Sequence, residues 1–339
     1  MLLRFAFVIA LLSAWPSSLH SEVLYSVTEI GTLGGFTSGR GVNASGMVVG
    51  ESDITSGAYQ YHAFLWNGAA ISDLGTFGGP QSDALGINNR GQVTGWASTS
   101  PTEADAFLYA NGQMIDLGPG FGAAINDRGQ ITGGGLHAFL YSDGQRIDLG
   151  TLGGSTSDGR AINDFGDVVG ESQTANPFFL HAFLYTSGRM LDLGTLGGHS
   201  EAWGINNHGQ VTGQSVTTSG LWHAFLYSNG QMIDLTPGDL EGAGFAINDD
   251  GWVTGYIGGS AFLYANGHLM YLDSLVDPGL GIRLLTGTAF NSNGQILVNG
   301  LDGSGQGRAF LLTPVPEPRL LLGLGLALLF LPWLRKHPA

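Results

Sequence analysis

The chain has 339 residues, of which 43% are hydrophobic and only 12% charged, with a formal net charge of −15. Nucleic acid is a poor candidate partner, because an acidic body repels phosphate backbones. The chain has no cysteine, which excludes disulfides, thiolate metal sites and cysteine nucleophiles. Its 57 glycines show no collagen triplet period, and they therefore predict many tight turns and an all-β protein.

The first 21 residues have the layout of a secretory signal peptide. Arg4 precedes an apolar run from Phe5 to Trp15, and small polar residues follow. A buried strand or a short anchor is the alternative interpretation. We expect an exported protein whose mature part begins near Glu22.

Two phrases alternate through the body, each in seven copies. The first follows the pattern Ile-Asn-x-x-Gly-x-Val-x-Gly, and the second is Ala-Phe-Leu-Tyr, with copies 32 to 48 residues apart. The asparagines of the first phrase are Asn43, Asn88, Asn126, Asn163, Asn206, Asn248 and Asn291. The phenylalanines of the second are Phe64, Phe107, Phe139, Phe183, Phe225, Phe262 and Phe310.

Each repeat contains four short strand candidates separated by turn residues. Asn126 and Gly129 suit the first and fourth positions of a type I turn, and Asn111-Gly112 is a strong hairpin pattern. A repeat of this size with four antiparallel strands is typical of a propeller blade. Residues 22–313 therefore predict a seven-bladed β-propeller of four-stranded blades.

The two ends of the body complement each other. Tyr25 to Gly31 resemble a fourth strand without its blade, whereas the last repeat stops after its third strand. We expect Val27 to Gly31 to pair with Ala309 to Leu312 and complete the seventh blade, which removes an exposed sheet edge. An open β-solenoid is the alternative architecture, but it needs no such complementary ends.

The body resembles the HAF-repeat family of probable extracellular proteins. The resemblance runs from about Thr32 to Leu312 and includes His-Ala-Phe, the asparagine phrase and Asp-Leu-Gly-Thr-Leu-Gly-Gly, as at Asp192. It implies an exported repeat protein. It brings no activity and no catalytic residues.

The tail, residues 314–339, reads as a membrane stop-transfer sequence. Leu320 to Leu334 are apolar, and Arg335 and Lys336 follow, which places the body outside the inner membrane. With Pro316, Glu317 and Pro318 the tail resembles the PEP-CTERM sorting signal. That resemblance implies a transient anchor, removal by an exosortase, and release to the cell surface or an exopolysaccharide matrix. With both ends removed, the body carries a formal charge of about −18.

The repeated polar residues are interpreted as structural. Histidine precedes Ala-Phe in four repeats, one per blade and too far apart to share a metal. The Asn/Asp pairs suit turns better than a calcium loop, although weak calcium binding stays open. The histidines are His62, His137, His181 and His223, and the aspartates of the fourth strands are Asp73, Asp116, Asp148, Asp192 and Asp234.

Binding residues are expected where the repeats differ. The loops between second and third strands vary most and carry aromatic residues beside carboxylates, which suits stacking on sugars. A role in capping blade edges is the alternative. The candidate ligand-binding residues are Tyr59, Tyr61, Trp96, Phe178, Phe179 and Trp222.

No catalytic motif accompanies these residues, and no catalytic residue, metal site or cofactor is assigned. We expect a non-catalytic exported protein that binds glycan or a surface protein through the variable loop face. A glycosidase or lyase on a propeller scaffold and a purely structural matrix protein are the alternatives.

Overall fold

The computed structural model describes residues 24–55 and 60–315. The signal peptide, the tail with Pro316, Glu317 and Pro318, and Tyr59 lie outside these residues. The architecture is all-β and propeller-like, with 28 strands in seven antiparallel four-stranded units. Two 3-10 segments, Leu272–Leu275 and Pro278–Leu280, connect the last two units. Within the described ranges there is no helix of the length and apolarity that a membrane span requires.

The first four units follow one another along the chain. Unit 1 contains β2 (Thr37–Val42), β3 (Val48–Asp53), β4 (Tyr61–Trp66) and β5 (Ile71–Gly75). Unit 2 contains β6 (Ser82–Ile87), β7 (Val93–Ser98), β8 (Ala104–Ala110) and β9 (Gln113–Pro119). Unit 3 contains β10 (Phe121–Ile125), β11 (Ile131–Gly134), β12 (Phe139–Ser142) and β13 (Gln145–Asp148). Unit 4 contains β14 (Gly153–Ile162), β15 (Val168–Thr174), β16 (Leu180–Thr186) and β17 (Arg189–Asp192).

The remaining units complete the series. Unit 5 contains β18 (Gly197–Ile205), β19 (Val211–Thr217), β20 (Trp222–Ser228) and β21 (Gln231–Asp234). Unit 6 contains β22 (Gly242–Ile247), β23 (Val253–Ile257), β24 (Ser260–Ala265) and β25 (His268–Tyr271). Unit 7 contains β26 (Arg283–Phe290), β27 (Ile296–Leu301), β28 (Gly307–Pro314) and, from the start of the chain, β1 (Tyr25–Glu29). Units 3 and 4 are joined by one pair, Gly134 opposite Asp158.

The first described strand pairs with the last one. β1 lies antiparallel to β28, with Val27 opposite Leu312 and Glu29 opposite Phe310, as the sequence predicted. The amide of Ile30 extends the pairing by donating to the carbonyl oxygen of Ala309. Unit 7 therefore gains its fourth strand from a segment that lies almost three hundred residues away along the chain.

The hairpin turns have the predicted backbone. Asn111 and Gly112 both have positive φ, 53° and 78°, and Asn229 and Gly230 repeat this with 53° and 77°. Positive φ at both central positions defines the type I′ turn, whose twist matches that of the flanking strands. The Asn-Gly pairs therefore set the register between third and fourth strands.

The phenylalanine of each Ala-Phe-Leu-Tyr phrase fills the space between neighbouring units. All seven rings are at most 2% exposed. Phe107 of unit 2 packs with Val49 and Ala63 of unit 1, and Phe64 of unit 1 packs with Leu297 of unit 7. Burying one such side chain contributes about 1.5–3 kcal/mol, so the seven rings are a large part of the core.

The seven asparagines of the first phrase form what we call the asparagine belt. Each Oδ1 accepts backbone amides of its own turn, as in Asn43, whose Oδ1 accepts from Ser45 and Met47. For six of them the Nδ2 donates to the asparagine carbonyl oxygen of the next unit at 2.9–3.3 Å. The last of these bonds runs from Asn291 back to Asn43 at 2.9 Å. The belt thus connects unit 7 to unit 1.

The residue after each belt asparagine adds a second series of bonds between units. The amide of Ala44 donates to Oδ1 of Asn89 at 2.8 Å, and the amide of Asn89 donates to Oδ1 of Asp127 at 2.8 Å. The same step recurs from Asp127 to Asp164 and onward through units 4 to 6. These side-chain oxygens accept hydrogen bonds from backbone amides of the preceding unit. Hydrogen bonding between units therefore accounts for the Asn/Asp pairs without a calcium ion as ligand.

Replacing Asn43 by aspartate separates the two functions of a belt residue. Asn43→Asp keeps an oxygen for its own turn but loses the Nδ2 donor to Asn88, so we expect a stability loss of about 1–3 kcal/mol. Urea unfolding measures it. Asn176→Asp is the matched control, because Asn176 is exposed and its side chain accepts from the Phe178 amide through Oδ1, which an aspartate retains. Equal effects of the two substitutions would contradict a connecting role for the belt.

Candidate functional site

The loops that differ between units lie at one end of the first and second strands of each unit, which we call the inner strands. The first and second strands are antiparallel, so the start of the first and the end of the second lie together, opposite the asparagine belt. The loops leading into the first strand and from the second to the third are at this same end, which we call the loop face. Polar and aromatic side chains near this end of the inner strands are therefore candidate site residues.

The repeated histidines are bonded within their own units. Each Nδ1 lies 2.7–2.9 Å from a carboxylate oxygen of the fourth strand, in the pairs His62–Asp73, His137–Asp148, His181–Asp192 and His223–Asp234. Those aspartates also accept a backbone amide two residues later, as Asp73 does from Gly75. The structure thus places the histidines as links between third and fourth strands, which agrees with their interpretation as structural residues.

A first cluster lies between units 1 and 2 and consists of Arg40, Glu51, Tyr61, Asp83 and Trp96. The Arg40 guanidinium joins both carboxylates, with 2.8 Å from Nη2 to Glu51 and 3.1 Å from Nε to Asp83. The rings of Tyr61 and Trp96 meet edge to face with centroids 6.1 Å apart. Register places Trp96 directly opposite Asp83. Two carboxylates, one guanidinium and two aromatic rings therefore converge at one interface.

Asp83 is the most strongly perturbed of these groups. Its side chain is only 5% exposed. Burial raises the pKa of Asp83 to about 7, the Arg40 guanidinium acts against this rise, and the Glu51 carboxylate adds to it. Its Oδ1 has no hydrogen-bond partner among the described residues. The cluster therefore contains a buried carboxyl oxygen that has no partner among the described residues and lies on a group whose pKa burial raises.

A second cluster lies between units 4 and 5 and consists of Arg160, Glu171, Glu201, Trp203 and Gln214. Arg160 bonds Glu171 through Nε at 3.0 Å, and its guanidinium carbon lies 4.8 Å from the centre of the Trp203 ring. Gln214 donates to Glu201 at 2.7 Å. Burial raises the pKa of Glu171 against the opposing effect of Arg160. The indole Nε1 of Trp203 is buried and has no partner within the described ranges.

A row of aromatic side chains lies at the same interface. Phe179 of unit 4 lies 5.7 Å from the His199 ring of unit 5, which stacks on Trp222 at 6.5 Å. The amide of Leu180 donates to Nδ1 of His199 at 3.1 Å and holds that ring in place. We call Phe179, His199 and Trp222 the aromatic row.

The predicted binding residues separate into two groups. Tyr61 and Trp96 meet in the first cluster, whereas Phe179 and Trp222 meet through His199 in the aromatic row. Phe178 is 81% exposed beside this row. The structure brings pairs of these residues together and does not gather them into one site.

Sequence reasoning missed the charged residues of the inner strands. The position three residues before the belt asparagine differs in every unit except 1 and 4, where it is Arg40 and Arg160. The position five residues before it holds Asp83 in unit 2, Asp158 in unit 4 and Glu201 in unit 5. Variation inside an otherwise constant strand was the signal that could have identified them.

The opposite end of the inner strands encloses a cavity of about 750 Å³. It is lined by the turns of all seven units, together with Tyr25, Trp252 and Pro314. Its asparagine side chains are bonded in the belt, and the carboxylates of Asp127, Asp164 and Asp249 accept backbone amides of the preceding unit. Among the described residues, no group of three histidine or acidic side chains is arranged to hold a metal ion.

Comparison with protein-family models finds no match to this chain. Comparison with curated proteins finds none either.

Solved structures resemble the fold at low sequence identity. PorZ, an essential bacterial surface component of the type-IX secretion system of Porphyromonas gingivalis, aligns with a TM-score of 0.53 and 11% identity over 83% of this chain and 46% of its own. A puromycin hydrolase S511A mutant gives 0.49 and 13% over 87% of this chain and 55% of its own. Trypanosoma rangeli sialidase gives 0.41 and 10%, with 82% and 55% covered. This chain spans about half the length of these proteins, and the likeness to PorZ concerns the fold alone.

Replacing Asp83 by asparagine changes how stability depends on pH. The folded-state pKa of about 7 lies above the unfolded value near 4, so the folded chain binds the extra proton between these limits. Ionisation of Asp83 therefore destabilises the fold as pH rises from about 4 to 7. We expect the unfolding free energy of Asp83→Asn, relative to the unmodified chain, to rise by roughly 2–4 kcal/mol between pH 4 and 8.

Urea unfolding at the two pH values measures this change. The matched control is Asp143→Asn, an exposed turn residue, which should leave the difference constant. A relative stability of Asp83→Asn that stays flat or falls with pH would contradict the burial argument.

Proposed function

We propose that this protein is an exported, non-catalytic binding protein that takes a glycan on its loop face. The observation that carries the proposal is the first cluster, where two carboxylates and Arg40 lie beside the edge-to-face rings of Tyr61 and Trp96. Aromatic faces stack on sugar rings, and carboxylates accept hydrogen bonds from hydroxyl groups. A surface protein that presents similar groups is the alternative ligand.

We propose further that the seven units are the blades of one closed propeller. Three contacts between unit 7 and unit 1 or the chain start support closure: β1 paired with β28, Asn291 bonded to Asn43, and Phe64 packed on Leu297. A closed ring fixes the loops of all blades on one rigid face. It also removes sheet edges between the first and last unit.

The charge of the site favours a neutral or amine-bearing saccharide. In the first cluster two carboxylates face one guanidinium, and the chain as a whole carries a formal charge of −15. A uronic acid polymer would meet repulsion both at the site and over the whole surface. Hydroxyl and ammonium groups, in contrast, are donors that match carboxylate acceptors.

The two ends of the chain support export. The layout of residues 1–21 supports a signal peptide, and the body resembles the HAF-repeat family. The tail supports transient anchoring in the inner membrane and removal by an exosortase, with release to the cell surface or an exopolysaccharide matrix. A glycan of that matrix would then be within reach of the loop face.

Intact mass of the exported protein tests this processing. We expect a species that begins near Glu22 and lacks the apolar run after Pro318. The control is a variant with Leu326 and Leu328 replaced by arginine, which interrupts the apolar run and should not be anchored or processed. An exported species that retains the complete tail would contradict sorting and release.

A catalytic function is the second candidate, and it is favoured by the pKa of Asp83. A carboxyl whose pKa is raised to about 7, close to a second carboxylate, Glu51, resembles the acid and base of a glycosidase. In this chain Arg40 forms an ion pair with each of the two carboxylates, and these pairs orient the carboxylates for binding a ligand. Release of new reducing ends or unsaturated sugars from a polysaccharide would favour the enzyme.

A glycan array with the purified body, residues 22–315, tests binding. We expect specific signals for neutral or amine-bearing oligosaccharides. Trp96→Ala combined with Trp222→Ala should weaken binding at least about tenfold, or 1.4 kcal/mol, because both stacking surfaces are lost. Phe165→Ala is the matched control, since this ring is 64% exposed in a belt turn at the opposite end. Binding that survives the double substitution unchanged would overturn the proposed site.

A further inference from the structure

Two adjacent units of the series recur three units later. Units 1 and 4 share an arginine three residues before the belt asparagine and the phrase Val-Val-Gly-Glu-Ser, at Val48 and Val168. Units 2 and 5 share Gly-Ile-Asn-Asn, and both have an acidic residue five positions before the belt asparagine, as unit 4 also does with Asp158. Units 1 and 2 thus correspond to units 4 and 5.

This correspondence superimposes the two clusters residue by residue. Arg40 corresponds to Arg160, Glu51 to Glu171 and Asp83 to Glu201 in strand position. The contacts follow the same plan, because Arg40 bonds Glu51 of its own unit and Arg160 bonds Glu171 of its own unit. The second acid differs between the clusters. Asp83 of the next unit is bonded to Arg40, whereas Arg160 pairs at 3.8 Å with Asp158 of its own unit, and the Glu201 charge of the next unit acts on it more weakly.

Both interfaces also carry an aromatic contact between units. Tyr61, directly before His-Ala-Phe in unit 1, meets Trp96 of unit 2. Phe179, two residues before His-Ala-Phe in unit 4, meets His199 of unit 5. Each cluster has one buried polar atom without a partner among the described residues, an acceptor in Asp83 and a donor in the Trp203 indole. The two sites therefore share an aromatic contact between units and one unpartnered polar atom, and they differ in the residues that supply them.

We propose that the interface of units 4 and 5 is a second glycan site, so that one chain binds two saccharide segments. The inference rests on the proposed function of the first cluster. Its ligand class is the same, a neutral or amine-bearing saccharide, since carboxylates again outnumber the one arginine, with Glu171, Asp158 and Glu201 acting on Arg160. The tryptophan indole in place of the tyrosine–tryptophan pair changes the stacking surface and thus the preferred sugar.

Two sites on one face allow avid binding of one polymer and cross-linking of separate chains, which neither site allows alone. They are three units apart in a series of seven, so in a closed ring they lie nearly opposite each other on the loop face. A polymer segment long enough to reach both is bound with avidity, whereas separate chains are cross-linked. A hexasaccharide occupies the sites independently.

Isothermal titration of the body, residues 22–315, separates the two sites. The probes are hexasaccharides of β-1,4-linked glucose, N-acetylglucosamine and glucosamine, with glucuronic acid as the acidic comparison. We expect two binding sites per chain. Asp83→Asn and Glu201→Gln, which remove corresponding charges with little change in shape, should each leave one site. Their combination should leave none, and Phe165→Ala should keep two.

The remaining site in each single variant shows that the chain is folded. On an immobilised polymer of the same sugar, the unmodified body should dissociate at least about tenfold more slowly than either single variant. One site per chain, or loss of all binding in a single variant, would overturn the second site and leave the proposed function standing. No binding of any probe would overturn both.

Discussion

The asparagine side chain of the belt is the interaction on which the fold depends. A carboxamide carries an acceptor and two donors on one short side chain, so one residue can close its own turn and bond the next unit. Aspartate lacks the donor and glutamine is longer by one methylene, which explains why asparagine occurs in all seven copies. With no disulfide and few charges in the chain, this belt and the interleaved phenylalanine rings hold neighbouring units together. These contacts set the spacing between the inner strands of neighbouring units, and this spacing determines which side chains fit between them at the loop face.

The residues that recur between units are largely bonded to one another. Ser82 donates to the carbonyl oxygen of Gly75 and accepts from the amide of Ala63, and the histidines bond the aspartates of the fourth strand. Such groups have little capacity left for a ligand. Positions that face the next unit near the loop face do not take part in these recurring hydrogen bonds. They hold Arg40 in one unit and Phe245 in another, and so they can change without loss of the framework.

Local patterns made most of the framework predictable from the sequence. Turn residues, strand order within a unit and the pairing of Val27 with Leu312 follow from short phrases and from the mismatch between the chain ends. The clusters were not predictable, because they combine residues from two units whose relative register the sequence does not state. Tyr61 and Trp96 were both recognised as aromatic residues of variable segments, yet their contact depends on how unit 1 packs on unit 2. Asp83 carried only the signal of a variable position in its strand, since its burial and its pKa arise from that packing.

Packing alone gives no reason for the charged clusters. Burying a guanidinium and two carboxylates costs desolvation free energy, and apolar residues of similar volume are often as stable or more so. The chain shows that its own framework accepts such residues, because the positions of unit 6 that correspond to Arg40 and Glu51 hold Phe245 and Tyr256, whose rings lie 6.0 Å apart. Arginine with paired acids nevertheless occurs at two interfaces that lie three units apart. Charged groups that are kept at a cost to stability, and in matching positions, support the ligand that we propose for them.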